Sequence, residues 1–339
     1  MKTTDFARYL TDYLGTYLSG QRNFSSHTIA SYRDTFKLLL TFCRDEKGIS
    51  PECLVMDHID DDLVRAFMDW IEATRRCSVA TRNQRLAAIH AFVRYVQAET
   101  PERLLVHQRI LAIPLKRTGK PVVSYLTAEA LESVLKQPDR NTPAGRRDLL
   151  ALAVLYDSGA RVSELTDLRV RDVRLTQPAT ITLKGKGRKT RHVPLMSGTA
   201  SLLGDYLEEK RLTAVHLLDH PLFFNSRRQK LTRAGISYII EKYVKAARTQ
   251  NTVFLPDKVS PHMFRHSKAM HLLQANVNLV YIRDFLGHAS VTTSEIYARA
   301  DDRMKRLALE QAYSFAVADD LPAWQDDKDL LSWLQRLCR

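Results

Sequence analysis

Six side chains between residues 161 and 297 have the types that phosphoryl transfer needs. They are two arginines, a lysine, two histidines and a tyrosine: Arg161, Lys186, His262, Arg265, His288 and Tyr297. Arginine binds phosphate oxygens with two parallel hydrogen bonds and stabilises the charge that develops in the transition state. Tyrosine can attack phosphorus to form a covalent ester, and lysine or histidine can protonate the leaving hydroxyl. The set predicts cleavage of a phosphodiester without a metal ion.

Each of these residues also has an ordinary structural explanation when it is taken alone. Lys186 stands between two glycines and could be a charged hairpin tip, and Tyr297 could be a core residue. His262 and His266 are four residues apart and could form half of a zinc site, but the glutamate of an HExxH motif is missing. The functional interpretation therefore depends on the six residues as a set.

The charge of the whole chain predicts a polyanionic partner. Lysine and arginine number 51 against 38 acidic residues, which gives a net charge of +13 and an isoelectric point of about 9.6. Nucleic acid is the usual partner of so basic a protein, and a charge that serves only solubility is the alternative.

Other features of the composition exclude several classes of protein. The four cysteines include no CxxC pair, which argues against a zinc ribbon and a disulfide framework. No apolar run approaches the roughly 20 residues that span a bilayer, and the N-terminus lacks the apolar core of a signal peptide. We therefore expect a soluble protein that is cytoplasmic, associated with the nucleoid, and without a membrane partner.

Residues 1–110 are predicted to form a bundle of about four helices that binds DNA. Ser25 or Ser26, and later Ser78, are candidate N-caps, and apolar residues recur after them at helical spacing. Basic residues near Ser78 can contact phosphates, with a solvated helix face as the alternative. These basic residues are Arg75, Arg76, Arg82 and Arg85.

Residues 111–124 are predicted to be a basic linker. They carry prolines, a glycine and basic residues, and their apolar positions show only weak periodicity. We expect the linker to lie against the nucleic acid through Lys116, Arg117 and Lys120.

Residues 125–316 are predicted to form a second domain, which must position the six side chains. The domain opens with Thr127 as an N-cap and continues mainly with helices. The stretches TITL and RHVPL flank a Gly-Lys-Gly tip, which predicts an antiparallel hairpin, with Arg188 and Lys189 as further DNA contacts. The predicted fold is therefore mainly α with a small antiparallel β-sheet, a helical bundle followed by an α+β domain.

Residues 317–339 are predicted to be a tail that ends in a short amphipathic helix. An acidic connector precedes an apolar stripe made of Leu330, Leu331, Trp333, Leu334 and Leu337. This stripe must be buried, either on the chain's own second domain or on a neighbouring protomer.

Four stretches, taken in order and with their spacing, resemble the motifs of the tyrosine recombinases, the phage integrase family. They are GARVSEL, KGKGRKTRHVPL, SPHMFRHSKAMHLL and IRDFLGHASVTTSEIYAR. The resemblance covers residues 125–316, and more weakly residues 1–110, which are similar to that family's helical core-binding domain. It implies site-specific cleavage, exchange and religation of DNA strands through a 3′-phosphotyrosine, with no cofactor.

The resemblance implies the groups that move protons and form the new bond. Tyr297 would be the nucleophile, and His262 would accept its proton. Lys186 would protonate the departing 5′-oxygen. The energy of the phosphodiester bond would be kept in the phosphotyrosine, which is why no nucleotide is required.

The resemblance also implies the groups that hold the phosphate. Arg161 and Arg265 would clamp the scissile phosphate, and His288 would donate a hydrogen bond to one of its oxygens. Glu164, one helical turn after Arg161, would orient that arginine. The implied partners are double-stranded DNA with paired inverted sites and a homotetramer in which C-terminal helices can be exchanged.

Other functions remain open on the sequence. The stretch LALAVLYDSGARVSELTDLRVRDV resembles a helix-turn-helix with Gly159 in its turn, as in a non-catalytic DNA-binding regulator. A type IB topoisomerase shares the tyrosine chemistry but requires no specific site. Among recombinases, Xer-like resolution of chromosome or plasmid dimers is the alternative to integration, excision or transposition of a mobile element. The 42 residues that follow Tyr297 favour the mobile element.

Overall fold

The computed structural model describes residues 3–119, 123–185, 189–250, 254–288 and 294–297. The chain forms two compact units, Met1–Pro121 and Val122–Arg339. Across the described residues it is mostly helical and contains one three-stranded antiparallel sheet. The predicted fold class is confirmed.

The first unit is built from helices joined by short turns. Its elements are α1 (Asp5–Asp12), a π-helix (Tyr13–Gln21), α2 (Ser26–Lys47), α3 (Asp61–Ala73), α4 (Val79–Glu99) and α5 (Leu104–Leu111), with 3₁₀ turns at Pro51–Cys53, Met56–His58 and Pro101–Arg103. The hydroxyls of Ser25 and Ser78 accept the backbone N–H groups of Thr28 and Thr81, as N-caps do. The sequence therefore predicted the starts of the two longest helices of this unit.

An aromatic cluster forms the centre of the first unit. The ring of Phe92 on α4 lies edge-to-face with the rings of Phe6, Tyr13 and Phe36, at centroid distances of 5.8, 5.3 and 5.0 Å. These contacts join α4 to α1, the π-helix and α2. Ile113 is buried in the same core, so the first residues of the segment 111–124, predicted to be a linker, pack inside this unit.

The second unit surrounds a separate core and carries the sheet. Its elements are α6 (Ala128–Leu135), α7 (Pro143–Ser158), α8 (Val162–Asp167), β1 (Val173–Arg174), β2 (Thr180–Lys184), β3 (Thr190–Pro194), α9 (Ser197–Glu209), α10 (Arg233–Gln250), α11 (Pro261–Gln274) and α12 (Leu279–Leu286). Residues 294–297 are also helical. Strands β2 and β3 pair in register from Thr180 with Pro194 to Lys184 with Thr190, which is the hairpin that the sequence predicts.

Helix α11 is central to the second unit. Ser260 caps its start by accepting the N–H of Met263, and Pro261 occupies the first turn, where its missing N–H has no effect on the hydrogen bonding. One side of the helix buries Phe264 in the main core. Met270 packs into a smaller cluster with Leu286 and Tyr297. The end of the predicted second domain, residues 298–316, and the predicted tail at 317–339 lie outside the described residues.

His107 on α5 is a buried polar group without a hydrogen-bond partner. Its side chain is fully buried, and neither ring nitrogen has a partner among the described residues. Burial, followed by the nearby Arg103, lowers the pKa of His107. The imidazole is therefore held neutral, at the cost of its lost hydrogen bonds to water.

We expect His107→Leu to raise the free energy of unfolding by about 1 kcal/mol at neutral pH, because an unsatisfied buried polar group is removed. In the unfolded wild-type chain His107 binds a proton near its ordinary pKa, whereas in the folded chain it does not. Wild-type stability therefore falls as the pH drops below about 6.5, and the variant should lose part of that slope. Urea unfolding between pH 5 and 8 measures both effects. The exposed His216→Leu is the control and should change neither, and an unaltered pH slope in His107→Leu would contradict the prediction.

Candidate active site

A glycine turn brings Arg161 to the start of α8. Helix α7 ends at Gly159, which has the left-handed φ of +54°. A Cβ at this position would lie 2.7 Å from Cδ2 of Leu286, the last residue of α12. The turn therefore needs glycine both for its conformation and for its close packing against α12. Arg161 follows as the N-cap residue of α8.

Glu164 is a buried carboxylate that binds two arginines. Its side chain is 2% exposed. It accepts the backbone N–H of Arg161 at 2.9 Å and Nη1 of the same residue at 2.8 Å. Arg191 on β3 adds two hydrogen bonds, from Nη1 at 3.0 Å and Nη2 at 2.7 Å. Burial by itself raises the pKa of Glu164, but the hydrogen bonds from both arginines outweigh burial and lower the pKa overall.

Arg265 ties the ends of two helices together from inside the protein. The residue is 1% exposed, and it donates to the carbonyl oxygens of Gly159 at 2.7 Å and Leu286 at 2.6 Å. Burial, together with the positive charges of Arg161 and Arg191, lowers the pKa of Arg265 to about 10. The guanidinium therefore remains charged at neutral pH.

The hydroxyl of Tyr297 lies against His266. Oη of Tyr297 is 2.9 Å from Nδ1 of His266, and the tyrosine is 1% exposed. Burial raises the pKa of Tyr297, although Arg265 and Arg161 oppose that effect. The ring of His288 is stacked on that of Tyr297, with the ring centroids 6.2 Å apart and an angle of 17° between the ring planes.

His288 is fixed by the turn that follows α12. Gly287 ends that helix with φ +67°, and a Cβ there would lie 3.2 Å from the guanidinium of Arg191. Nδ1 of His288 is then 2.9 Å from the hydroxyl of Ser294. Burial, followed by Arg265, lowers the pKa of His288 to about 4, so the ring is neutral at physiological pH.

His262 does not lie where its expected role, acceptor of the Tyr297 proton, would require. Its ring packs edge-to-face against His266 with the centroids 4.4 Å apart. Among the described residues, no hydrogen bond joins His262 to the Tyr297 hydroxyl, whose partner is His266. Burial, followed by Arg265 and Arg161, lowers the pKa of His262. The expectation that His262 receives the tyrosine proton therefore does not fit the geometry, and His262 lies in the field of the arginines.

The arrangement is suited to binding an anion next to a phenol. Of the three guanidinium groups, those of Arg161, Arg191 and Arg265, the first two bind the carboxylate of Glu164 and the third donates to backbone carbonyls, which leaves an excess of positive charge. The Arg161 side chain is 34% exposed, so part of the positive charge reaches the surface. Excess positive charge beside a hydroxyl that contacts an imidazole is the arrangement that nucleophilic attack on a phosphodiester requires.

Two residues of this arrangement were not predicted. Arg191 lies in the stretch KGKGRKTRHVPL. Its position on a predicted strand next to a basic tip was only weak evidence that it belongs to the site. His266 was considered only as half of a zinc site. In the parts of the chain that the structure describes, no group of three or more His, Cys, Asp or Glu could hold a metal ion. Lys186 lies outside the described residues.

The basic residues predicted to contact DNA have different surroundings. Arg75, Arg76, Lys116, Arg117 and Lys189 are exposed, and Arg85 is half-buried. Lys120 and Arg188 lie outside the described residues.

Arg82 does not fit the phosphate contact predicted for it. The residue is only 6% exposed, and its Nη1 donates to the carbonyl of Pro114 at 3.2 Å. Through this hydrogen bond the guanidinium joins α4 to the segment that follows α5.

No helix in the described part of the chain is long and apolar enough to cross a membrane.

Two family models match most of the chain. The family model described as "Phage integrase family" matches residues 124–304, and the model described as "Phage integrase, N-terminal SAM-like domain" matches residues 10–100. The chain is 36% identical over 336 residues to "Putative integrase/recombinase y4rC" of Sinorhizobium fredii, and the match covers 99% of each protein.

Two further comparisons involve Xer proteins. The chain is 32% identical over 287 residues to "Tyrosine recombinase XerC" of Oceanobacillus iheyensis, which covers 83% of this chain and 88% of that protein. A crystal structure of the XerH site-specific recombinase, bound to a palindromic difH substrate in a post-cleavage complex, superposes with a TM-score of 0.66. The sequence identity is 26%, and the match covers 87% of this chain and 81% of that one.

We expect Glu164→Gln to lower the free energy of unfolding by about 3 kcal/mol, because it removes the charge of the buried carboxylate that both Arg161 and Arg191 bind. The amide keeps the shape of the side chain, so the lost stability measures the effect of removing the negative charge. Glu209→Gln is the matched control, since Glu209 pairs with Arg146 on the surface and exposed pairs contribute little. Urea unfolding at neutral pH measures both variants. Equal stability of the two would show that Glu164 is not the anchor of the arginines.

Proposed function

The chain belongs to the phage integrase family and is a tyrosine recombinase, and from that premise we propose the reaction that its described site performs. Tyr297 attacks a scissile phosphate in DNA and forms a 3′-phosphotyrosine. The strands are exchanged, and the free 5′-hydroxyl of the partner strand reverses the step to religate the DNA. The observation that carries this proposal is the Tyr297 hydroxyl, held by an imidazole. It lies in the electrostatic field of Arg265 and of Arg161, and Glu164 binds Arg161 together with Arg191.

The arginines provide the stabilisation of the transition state. Attack on phosphorus places additional negative charge on the non-bridging oxygens, and Arg161 and Arg265 bind those oxygens. Each guanidinium has five N–H groups, so the two bonds that Arg265 makes to carbonyls leave donors for a phosphate. His262 and His288 are neutral near the arginines and donate N–H groups to the same phosphate.

Lys186 is proposed as the acid that protonates the departing 5′-oxygen. Gly185, which precedes it, lies against the Arg161–Glu164 pair: a Cβ there would be 3.1 Å from Oε1 of Glu164 and 3.7 Å from Nη1 of Arg161. The end of β2 therefore comes close to the arginines, which supports the assignment.

A non-catalytic helix-turn-helix regulator fits the described residues less well. Helix α8 spans only Val162–Asp167 and buries Glu164, Leu165 and Thr166. So short and so largely buried a helix offers little surface for a DNA groove. The turn at Gly159 instead serves to position Arg161.

The proposed partner is double-stranded DNA with two inverted binding sites, bound by a homotetramer. The net charge of +13 supports a polyanion, and the similar XerH protein is bound to a palindromic site. DNA contacts are proposed through Arg75, Arg76, Arg85, Lys116 and Arg117 of the first unit and Lys189 of the second. The reaction would take place at the nucleoid, where the cell's DNA lies.

The proposed biological role is the integration, excision or transposition of a mobile element. The match of 36% identity along 99% of a protein described as a putative integrase/recombinase supports it. Resolution of chromosome or plasmid dimers is the second candidate, supported by the similarity to XerC. Inverted repeats with cargo genes around the coding region favour the first role, and restoration of dimer resolution in a strain without its own Xer proteins favours the second.

We expect Tyr297→Phe to keep wild-type affinity for its DNA site and to form no covalent complex, because only the attacking oxygen is removed. A nicked suicide substrate, which traps the phosphotyrosine, measures the second property, and a gel shift measures the first. Tyr281→Phe is the control, since this tyrosine on α12 is exposed, and it should be trapped like the wild type. Covalent complex from Tyr297→Phe at wild-type yield would refute the assignment of the nucleophile.

Cleavage by the wild-type enzyme should persist in excess EDTA, because arginine charges perform the stabilisation that a metal ion performs in metal-dependent nucleases. The rate of covalent complex formation, with and without chelator, tests this. A loss of cleavage that magnesium restores would mean that the reaction is metal-dependent hydrolysis.

A further inference from the structure

We propose that His266 is a catalytic residue, which accepts the phenol proton of Tyr297 at Nδ1 as the tyrosine attacks the phosphate. The inference rests on the proposed recombinase reaction and deepens it. It assigns the proton to the histidine that follows Arg265 in the chain, instead of to His262.

The contact that carries the inference joins the nucleophilic atom to a ring nitrogen. Oη of Tyr297 is 2.9 Å from Nδ1 of His266, which is hydrogen-bond distance. The centroids of the two rings are 5.5 Å apart, and the ring planes make an angle of 61°. The ring of His288 stacks on the tyrosine. A general base must lie within this distance of the proton that it removes.

Packing determines which imidazole occupies this position. His266 lies on α11, and Tyr297 is buried in the small cluster that the same helix forms with α12. His262, one turn earlier, contacts the ring of His266 at 4.4 Å. The structure therefore leaves His262 beside the arginines, where a phosphate would bind, and puts His266 against the nucleophile.

The charge state of both groups suits a proton transfer. Burial, followed by the neighbouring His262 and Arg265, lowers the pKa of His266 to about 4, so the ring is neutral and its Nδ1 can accept. Burial raises the pKa of Tyr297, so the phenol keeps its proton until it attacks. The negative phosphate would offset the charge of Arg265 and raise the basicity of His266, and the phenol becomes strongly acidic as its oxygen bonds to phosphorus.

Each bond that forms in this step is matched by a bond that breaks. A lone pair of Oη forms the bond to phosphorus, and the phenol proton moves to Nδ1 of His266. The bond from phosphorus to the 5′-oxygen breaks, and that oxygen keeps the electron pair and takes a proton from Lys186. In religation the same groups act in reverse, and the imidazolium returns its proton to the departing phenolate.

The experiment compares His266→Asn, His262→Asn and Lys186→Ala on two nicked suicide substrates. The asparagine amide can occupy the place of Nδ1 and keep a hydrogen bond, but it cannot take a proton. One substrate has the natural 5′-oxygen at the scissile bond and the other has a 5′-sulfur, which leaves without protonation. Single-turnover formation of covalent complex is measured with saturating enzyme, and a gel shift on the same DNA confirms that affinity is unchanged.

We expect His266→Asn to cleave the oxygen substrate roughly 100-fold or more slowly than the wild type, within the range of general base catalysis, and to remain slow on the sulfur substrate. Lys186→Ala should recover on sulfur, because only the leaving group needs its proton. In His266→Ala, added imidazole should restore part of the rate by entering the space that the side chain leaves, which provides a second test should the asparagine variant fold poorly.

Three results would overturn the inference. His266→Asn could cleave the oxygen substrate within about threefold of the wild-type rate, or it could recover on the sulfur substrate. His262→Asn could instead show the defect expected for His266→Asn, with His266→Ala unresponsive to imidazole. A failure of the recombinase proposal is a separate outcome: the wild type would then form no covalent complex, or Tyr297→Phe would form it.

Discussion

One buried carboxylate holds the cationic site together. Glu164 binds Arg161 next to it on α8 and Arg191 on β3, while Arg191 also donates to the carbonyl of Phe285 near the end of α12. Guanidinium groups brought together in a region of low dielectric repel one another, and a paired carboxylate lowers that repulsion. The position of α8, the hairpin and the end of α12 relative to one another therefore depends on this one side chain.

Arg265 is also held in place, in its case by carbonyl oxygens at the ends of two helices. The carbonyls of Gly159 and Leu286 lie at the C-terminal ends of α7 and α12, where the helix dipole is negative. These oxygens accept two of the hydrogen bonds of a buried guanidinium without neutralising it, so its full charge is available to the phosphate that we propose it binds. The left-handed glycine that ends α7 serves this geometry, since any side chain at Gly159 would meet Leu286.

Tyr297, the proposed nucleophile, is organised by burial as much as by charge. A tyrosine in water attacks poorly because it is protonated, and burial keeps Tyr297 protonated still more firmly. The effect of burial on the phenol is offset by a neutral imidazole at hydrogen-bond distance and by the arginines nearby. Such an arrangement holds the phenol in one orientation. In the reaction that we propose, proton loss then coincides with attack, and the same step can be reversed.

The sequence by itself determined the local structure and the chemical types. The N-caps at Ser25 and Ser78 and the pairing of β2 with β3 depend on residues close to one another in the chain, which a sequence records directly. The order of the arginines, lysine, histidines and tyrosine likewise indicated phosphoryl transfer on DNA before any contact was known.

Only the tertiary structure decided which of these side chains meet. His262 and His266 are both on α11, one turn apart, and no periodicity distinguishes the one that faces Tyr297, because that choice depends on how α12 and the residues after it pack. Arg191 joins Glu164 across 27 positions, and Arg82 turns inward to Pro114 although its neighbours Arg75 and Arg76 are exposed. These contacts are set by long-range packing. Packing results from many weak interactions across the whole unit, so no short stretch of sequence is enough to predict it.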